Sequence, residues 1–167
     1  NSINYNAKLD VHRFVTFIGY NFDNRTSFVS EIEMEHVTEL YVEQAFLNYR
    51  IKNILSVSAG LMLIPMGIQN LYHEPPTFNG VERTNVDKYI VPTTWREMGV
   101  SLSGRSTDNM ISYELMIVNG FNGYDGEGIF NGNKGLRSGR QKGAESYMTH
   151  PDFASRISYV GIPHLHL

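Results

Sequence analysis

Residues 41–64 read YVEQAFLNYRIKNILSVSAGLMLI, and their reading decides the fold. Ala45, Leu47, Tyr49 and Ile51 alternate with Gln44, Phe46, Asn48 and Arg50. After Lys52-Asn53, Leu55, Val57, Ala59, Leu61 and Leu63 alternate with Ser56, Ser58, Gly60 and Met62. The period is two rather than 3.6. It predicts two half-buried strands, 41–51 and 54–64, joined by a two-residue turn at Lys52-Asn53.

Working outward, the same period recurs. In 12–22, Phe14, Thr16, Ile18, Tyr20 and Phe22 oppose Arg13, Val15, Phe17, Gly19 and Asn21. In 27–37, Phe28, Ser30, Ile32 and Met34 oppose Ser27, Glu31, Glu33 and Glu35. Segments 95–105 and 109–119 put Met98, Val100, Leu102, Ile111, Tyr113, Leu115 and Ile117 opposite Glu97, Ser101, Ser103, Arg105, Ser112 and Glu114. A seventh run covers 153–161. Six of the seven segments span 11 residues, against about 5–6 for soluble strands and about 9–11 for strands crossing a bilayer.

The connections give a second signal. Those at 23–26, 52–53 and 106–108 are short, and all fall on one side. The long ones, at about 65–94 and 120–152, both fall on the other side, with a short 38–40 link beside them. Membrane barrels put short turns on the periplasmic side and long loops outside, whereas loops this long are unusual in a compact soluble domain. The expected fold is therefore all-β, an antiparallel up-and-down transmembrane β-barrel. Each strand would turn an apolar face to lipid and a polar face to a wet lumen. Tyr20, Phe22, Phe28, Tyr49 and Tyr113 gather near the short-turn ends, as an interfacial girdle would. The competing arrangement is a soluble sandwich whose apolar faces meet each other.

Composition removes other classes. The 167 residues include no Cys, which excludes a disulfide scaffold, a thiolate metal site and a thiol nucleophile. A formal charge of −3 excludes a strongly basic nucleic-acid binder. Mean hydropathy is −0.27, but a barrel that alternates greasy and polar residues averages out as hydrophilic. The uncharged stretch 54–73 contains Pro65, Gly67, Gln69 and Asn70 and is not expected to be a spanning helix. Residues 1–8 carry no signal-peptide pattern.

Residues 43–143 resemble bacterial outer-membrane porins, in particular the phosphate-selective-porin-like group and its Bacteroidota relatives. Four stretches carry the likeness: Glu43-Gln44-Ala45-Phe46, Ile64-Pro65-Met66-Gly67, His73-Glu74-Pro75-Pro76-Thr77-Phe78 with Val81-Glu82-Arg83, and Pro92-Thr93-Thr94-Trp95-Arg96-Glu97. Asn119-Gly120-Phe121 and Gly139-Arg140-Gln141-Lys142-Gly143 fit the next loop. The resemblance implies a passive channel for small hydrophilic solutes or ions in the bacterial outer membrane. It also implies lipid and lipopolysaccharide as neighbours, and a homotrimer or membership of a larger outer-membrane complex. Residues 1–167 would then be a partial barrel, about seven strands of about 16–18, with both ends looking cut. An accessory or plugged scaffold barrel is the alternative within the same fold.

Candidate pore-lining residues are Arg13, Glu31, Glu33, Glu35, Arg50, Glu97, Arg105 and Glu114. Acids outnumber bases among them, so anion selectivity is not carried over. The acidity is uneven along the chain: residues 1–43 carry a net charge of −4 and residues 44–167 a net charge of +1. Constriction or outer-loop candidates are His73, Glu82, Arg83, Lys134, Arg137, Arg140 and Lys142. If their loop folds inward, the cations would face the acidic row and set a transverse field; on an outward loop they would bind lipopolysaccharide phosphates.

Glu31-Ile32-Glu33-Met34-Glu35 also resembles the E-x-D-x-E strand of a jelly-roll glycoside hydrolase family, with Glu31 and Glu35 as the catalytic pair. The central residue departs from that pattern, and one Trp is little to line a sugar cleft. No catalytic residue, cofactor or metal site is expected. His164 and His166 make only a pair, His12 and His36 lie at strand ends, and no nucleophile elbow or phosphate loop is present.

Overall fold

The computed structural model describes residues 9–72, 84–91, 93–124, 129–130, 132 and 135–162. The chain forms one seven-stranded antiparallel sheet in which every strand pairs with its neighbours in sequence. Among the described residues the sheet is not closed. Its strands are β1 (Arg13–Asn21), β2 (Thr26–Glu35), β3 (Glu39–Lys52), β4 (Leu55–Leu63), β5 (Arg96–Arg105), β6 (Ile111–Asn119) and β7 (Pro151–Tyr159). Each lies within two residues of the segment that the period of two marks out. Between β4 and β5 sit a one-turn helix, α1 (Ile68–Leu71), and a π-helical turn (Val86–Ile90); a 3₁₀ turn (Leu136–Gly139) precedes β7. Among the described residues, no helix is long and apolar enough to cross a membrane, which says nothing of a sheet.

The two faces differ in character. One is bare: Leu47, Val100, Leu115 and Ile117 are each about half exposed, and Phe153 and Ile157 are 77% and 71% exposed. No second sheet packs on that face among the described residues, so the sandwich arrangement is not seen. The other face carries Glu31, Glu33, Ser58, Ser101 and Met116, all buried. Sequence-distant loop residues cover it toward the end where the long connections lie, called here the loop end.

A small core forms at the loop end. Met62, Ile64, Trp95, Met116 and Val118 are buried together, with Phe46, Phe121 and Ala154 packed against them. Trp95 stacks on Phe121 at 4.7 Å between ring centroids. Asn70, fully buried on α1, joins the loop ends of β4 and β5. Its Nδ2 donates to the carbonyls of Ile64 (2.7 Å) and Trp95 (3.0 Å), and its Oδ1 accepts from the Trp95 amide (2.7 Å). Asn70 thus satisfies backbone groups at the loop ends of β4 and β5 that the strand ladder leaves over.

Two glycines let the sheet close up locally. Gly60 pairs with both Phe46 and Gly99. It adopts φ +140°, and a Cβ there would lie 2.3 Å from the Ala45 carbonyl oxygen. Such a backbone is open to Gly almost alone. At the opposite end of the sheet, the Tyr113 hydroxyl lies over Gly104 and donates to the Ile54 carbonyl at 2.9 Å. Tyr113 therefore covers a gap in β5 and ties β6 to the β3–β4 turn.

Two departures from strict alternation matter. The β3–β4 turn is Asn53-Ile54 rather than Lys52-Asn53, because a bulge between Arg50 and Lys52 absorbs one residue and Lys52 pairs with Leu55. A second bulge in the β2–β3 ladder pairs Glu31 with Gln44 but Ile32 with Val42, leaving Glu43 as the extra residue. The β2–β3 turn is also unusual. His36 and Val37 both take left-handed conformations, at φ 51° and 66°, a costly choice for a β-branched residue.

Candidate functional site: a charged cleft on the covered face

β2 presents Glu31, Glu33 and Glu35 on one face, as its period requires. Glu31 accepts from Gln44 Nε2 at 2.7 Å. Arg13, from the facing strand, bridges Glu33 and Glu35, with its Nη2 2.6 Å from Glu35 Oε1. The β2–β3 bulge adds Glu43 to this acidic set. Glu43 is 3% exposed and pairs with Arg96, 4% exposed, at 2.8 Å. The Arg96 guanidinium also lies 6.0 Å from the centroid of the Tyr41 ring.

The opposing wall comes from the last part of the long β6–β7 connection. Arg140 is buried and donates from Nη1 to the Thr93 and Thr94 carbonyls at 2.7 and 3.0 Å, and from Nε to the Arg137 carbonyl at 3.1 Å. Burial pushes the Arg140 guanidinium down to about 9, with Arg137 and Arg96 adding repulsion and Glu43 and Glu97 opposing it. It remains charged at neutral pH. Arg137 and Lys142 join Arg140 and Arg96 around a cleft of about 100 Å³, opposite Glu33, Glu35 and Glu43.

Glu97 fixes that wall to the sheet. It is 1% exposed. Its Oε1 accepts the Gln141 amide at 3.0 Å, and its Oε2 accepts the Lys142 amide at 3.2 Å and Asn119 Nδ2 at 2.6 Å. Gln141 adds bonds of its own to the Gly120 and Tyr147 carbonyls. Three donors on one buried carboxylate are the kind of charge-assisted bonding that holds a loop in place.

Toward the turn end the covered face opens into a wider groove of about 470 Å³, lined by serines with Arg105, Glu114, Arg156 and Tyr72. Glu114 faces Arg156 and Ser101 there. Tyr72 follows α1, so the β4–β5 connection also reaches over this face.

The candidates from the sequence therefore separate. Glu33, Glu35, Arg137, Arg140 and Lys142 come together in the cleft, and Arg13 pairs with Glu33 and Glu35 beside it. Glu31 lies beside it, and Glu97 anchors its wall instead of lining it. Arg105 and Glu114 line the groove. Arg50 is at the turn end, where it donates to the Asn24 carbonyl. His73, Glu82, Arg83, Lys134, His164 and His166 lie outside the described residues.

Glu43, Arg96, Asn119 and Gln141 were not picked out by sequence reasoning. A signal for two of them was present. Strict alternation assigns Glu43 and Arg96 to the faces of Ala45 and Met98, where lone opposite charges at the same end of the sheet call for each other.

No family model matches the chain, and no solved structure matches it. The chain is similar to an uncharacterized protein of Aquifex aeolicus (strain VF5), 39% identical over 159 residues that cover 90% of this chain and 36% of that relative. It thus spans about a third of the length of the curated relative it matches.

Proposed function

We propose that the chain is part of a bacterial outer-membrane channel, a larger transmembrane β-barrel for passive diffusion of small hydrophilic solutes or ions. The observation that carries this reading is the contrast between faces. The apolar side chains of β3–β7 stand bare while charges gather on the side the loops cover, which is the inverse of a water-soluble domain and suits lipid outside a wet lumen. Tyr20, Phe22 and Tyr49, exposed near the turn ends, supply the aromatic belt such a sheet needs at a membrane interface. The cleft then becomes a constriction, with carboxylates from β2 and β3 on one wall and guanidinium and ammonium groups on the other. That arrangement would impose a field across the path of a permeating solute.

Glu31 and Glu35 suit a hydrolase poorly. One accepts from Gln44 and the other is paired with Arg13, so neither carboxylate is left for a substrate.

The test is conductance of the full-length protein in planar bilayers. An open channel gives ohmic current steps. One observation favours a second reading, an accessory scaffold barrel with a closed lumen: the cleft is small and Glu97 holds its wall firmly. Insertion without current would select that reading, and a full-length protein monodisperse without detergent would reject both.

A further inference from the structure

Outside the cleft, the loop end of the sheet holds a second cluster that the channel reading does not use. Asp10, His12 and His36 each place a ligand-type atom within 4.8 Å of the other two, and all three residues are exposed. The His36 amide donates to the His12 carbonyl at 3.3 Å, which fixes the two backbones together. The imidazole rings meet edge to face, 5.3 Å between centroids at 71°. His36 Nδ1 is in direct contact with the Asp10 carboxylate. The turn conformation described above brings His36 back over the start of β1.

We propose that Asp10, His12 and His36 form a binding site for a first-row divalent transition-metal ion of the Zn²⁺ class, with the remaining coordination positions filled by water. Two imidazoles and one carboxylate are the ligand set such ions prefer, whereas Mg²⁺ favours oxygen ligands alone. Tetrahedral coordination at about 2.0–2.1 Å brings ligand atoms to roughly 3.4 Å from one another. All three side chains are exposed, which leaves them room to rotate toward a shared ion. Glu35 and Glu39 add negative charge around His36, which favours a cation. A bound ion would clip the start of β1 to the β2–β3 turn. The site does not depend on whether the sheet spans a membrane.

The test uses the full-length protein in detergent and Zn²⁺ alone, competed against a chromophoric zinc indicator. His12→Ala and His36→Gln should each lose one equivalent of Zn²⁺, or bind it more weakly by about tenfold or more, since even outer-shell losses cost that much. Asp10→Asn should weaken it in the same sense, and His150→Ala, outside the cluster, should leave it intact. Millimolar Mg²⁺ should not displace the Zn²⁺. Equal Zn²⁺ binding in wild type, His12→Ala and His36→Gln would overturn the proposal, as would equal loss in His150→Ala or ready displacement by Mg²⁺. A channel that conducts but shows no such difference would reject the metal site and leave the channel reading standing.

Discussion

Arg96 and Glu43, 53 residues apart in the chain, form an ion pair of 2.8 Å with both side chains about 95% buried. The pair joins β5 to the bulge of β3. Removing one partner would strand a charge away from water. Arg96→Met or Glu43→Leu should therefore destabilise the full-length protein by about 3–5 kcal/mol. The double variant should recover much of that loss. Urea titration of the protein refolded into lipid vesicles measures both. Additive losses in the double variant would mean that the two side chains do not act as a pair.

The bare face distinguishes lipid from water. Val100 is half exposed in mid-strand. If that face meets the bilayer core, Val100→Arg should cost about 2–4 kcal/mol near the midplane. On a water-exposed surface, the same change should stay within about 0.5 kcal/mol. Unfolding free energy in vesicles gives the answer, with Ser103→Arg in the polar groove as the tolerated control.

In the proposed channel, charge preference would follow from the two walls of the cleft. Replacing Glu31, Glu33 and Glu35 together by Gln should lower cation preference, and Arg137→Gln with Lys142→Gln should raise it. Reversal potentials under a salt gradient measure both shifts. An unchanged potential in both variants would mean that these faces do not line the conducting path.

Glu97 makes a sharper claim about dynamics. Glu97→Ala removes the acceptor of the Gln141 and Lys142 amides. A hydrogen bond to a charged group contributes about 1.5–3 kcal/mol, so exchange of these two amides should speed up by roughly tenfold to a hundredfold. Hydrogen exchange resolved to peptides covering 139–147 measures this. Noisier single-channel current would accompany it if that segment borders the pore.

At the turn end, the Asp23 carboxylate accepts the Arg25 and Thr26 amides at 2.6 and 2.7 Å. These bonds hold its pKa below the usual carboxylate value. A lowered folded value means the carboxylate stabilises the hairpin above the ordinary carboxylate range, and that this contribution fades as pH falls through the lower folded value. Asp23→Ala should lose it at neutral pH and flatten the acid limb of the stability profile below the ordinary carboxylate range, about pH 4.

Much of the sheet was legible because side-chain direction in a strand has a period of two, and a sequence with one greasy face records that period residue by residue. Ser56, Ser58, Val57 and Ala59 could be placed without coordinates for this reason. The bulges could not. An extra residue at Glu43 shifts the ladder by one, and no local composition marks it. Long-range hydrogen bonding was equally hidden. Asn70 reads as an ordinary loop residue until the Ile64 and Trp95 backbones are seen to converge on it, and Gln141 looks like any polar residue in a glycine-rich loop. The cations at 137–142 were visible as a cluster, but what they face depends on a connection of about 30 residues whose path the period does not record.

The pairing order of the sheet bears on how such a protein changes over generations. Among the described residues each strand bonds only to the strands before and after it in sequence, so a duplicated or deleted hairpin changes the strand number in steps of two and leaves the other ladders untouched. The charged cleft has no such freedom. It draws on β2, β3, β5 and the segment before β7 at once, with Arg13 of β1 paired to its carboxylates, so lineages that vary in strand number should do so by inserting hairpins outside this group of strands rather than within it.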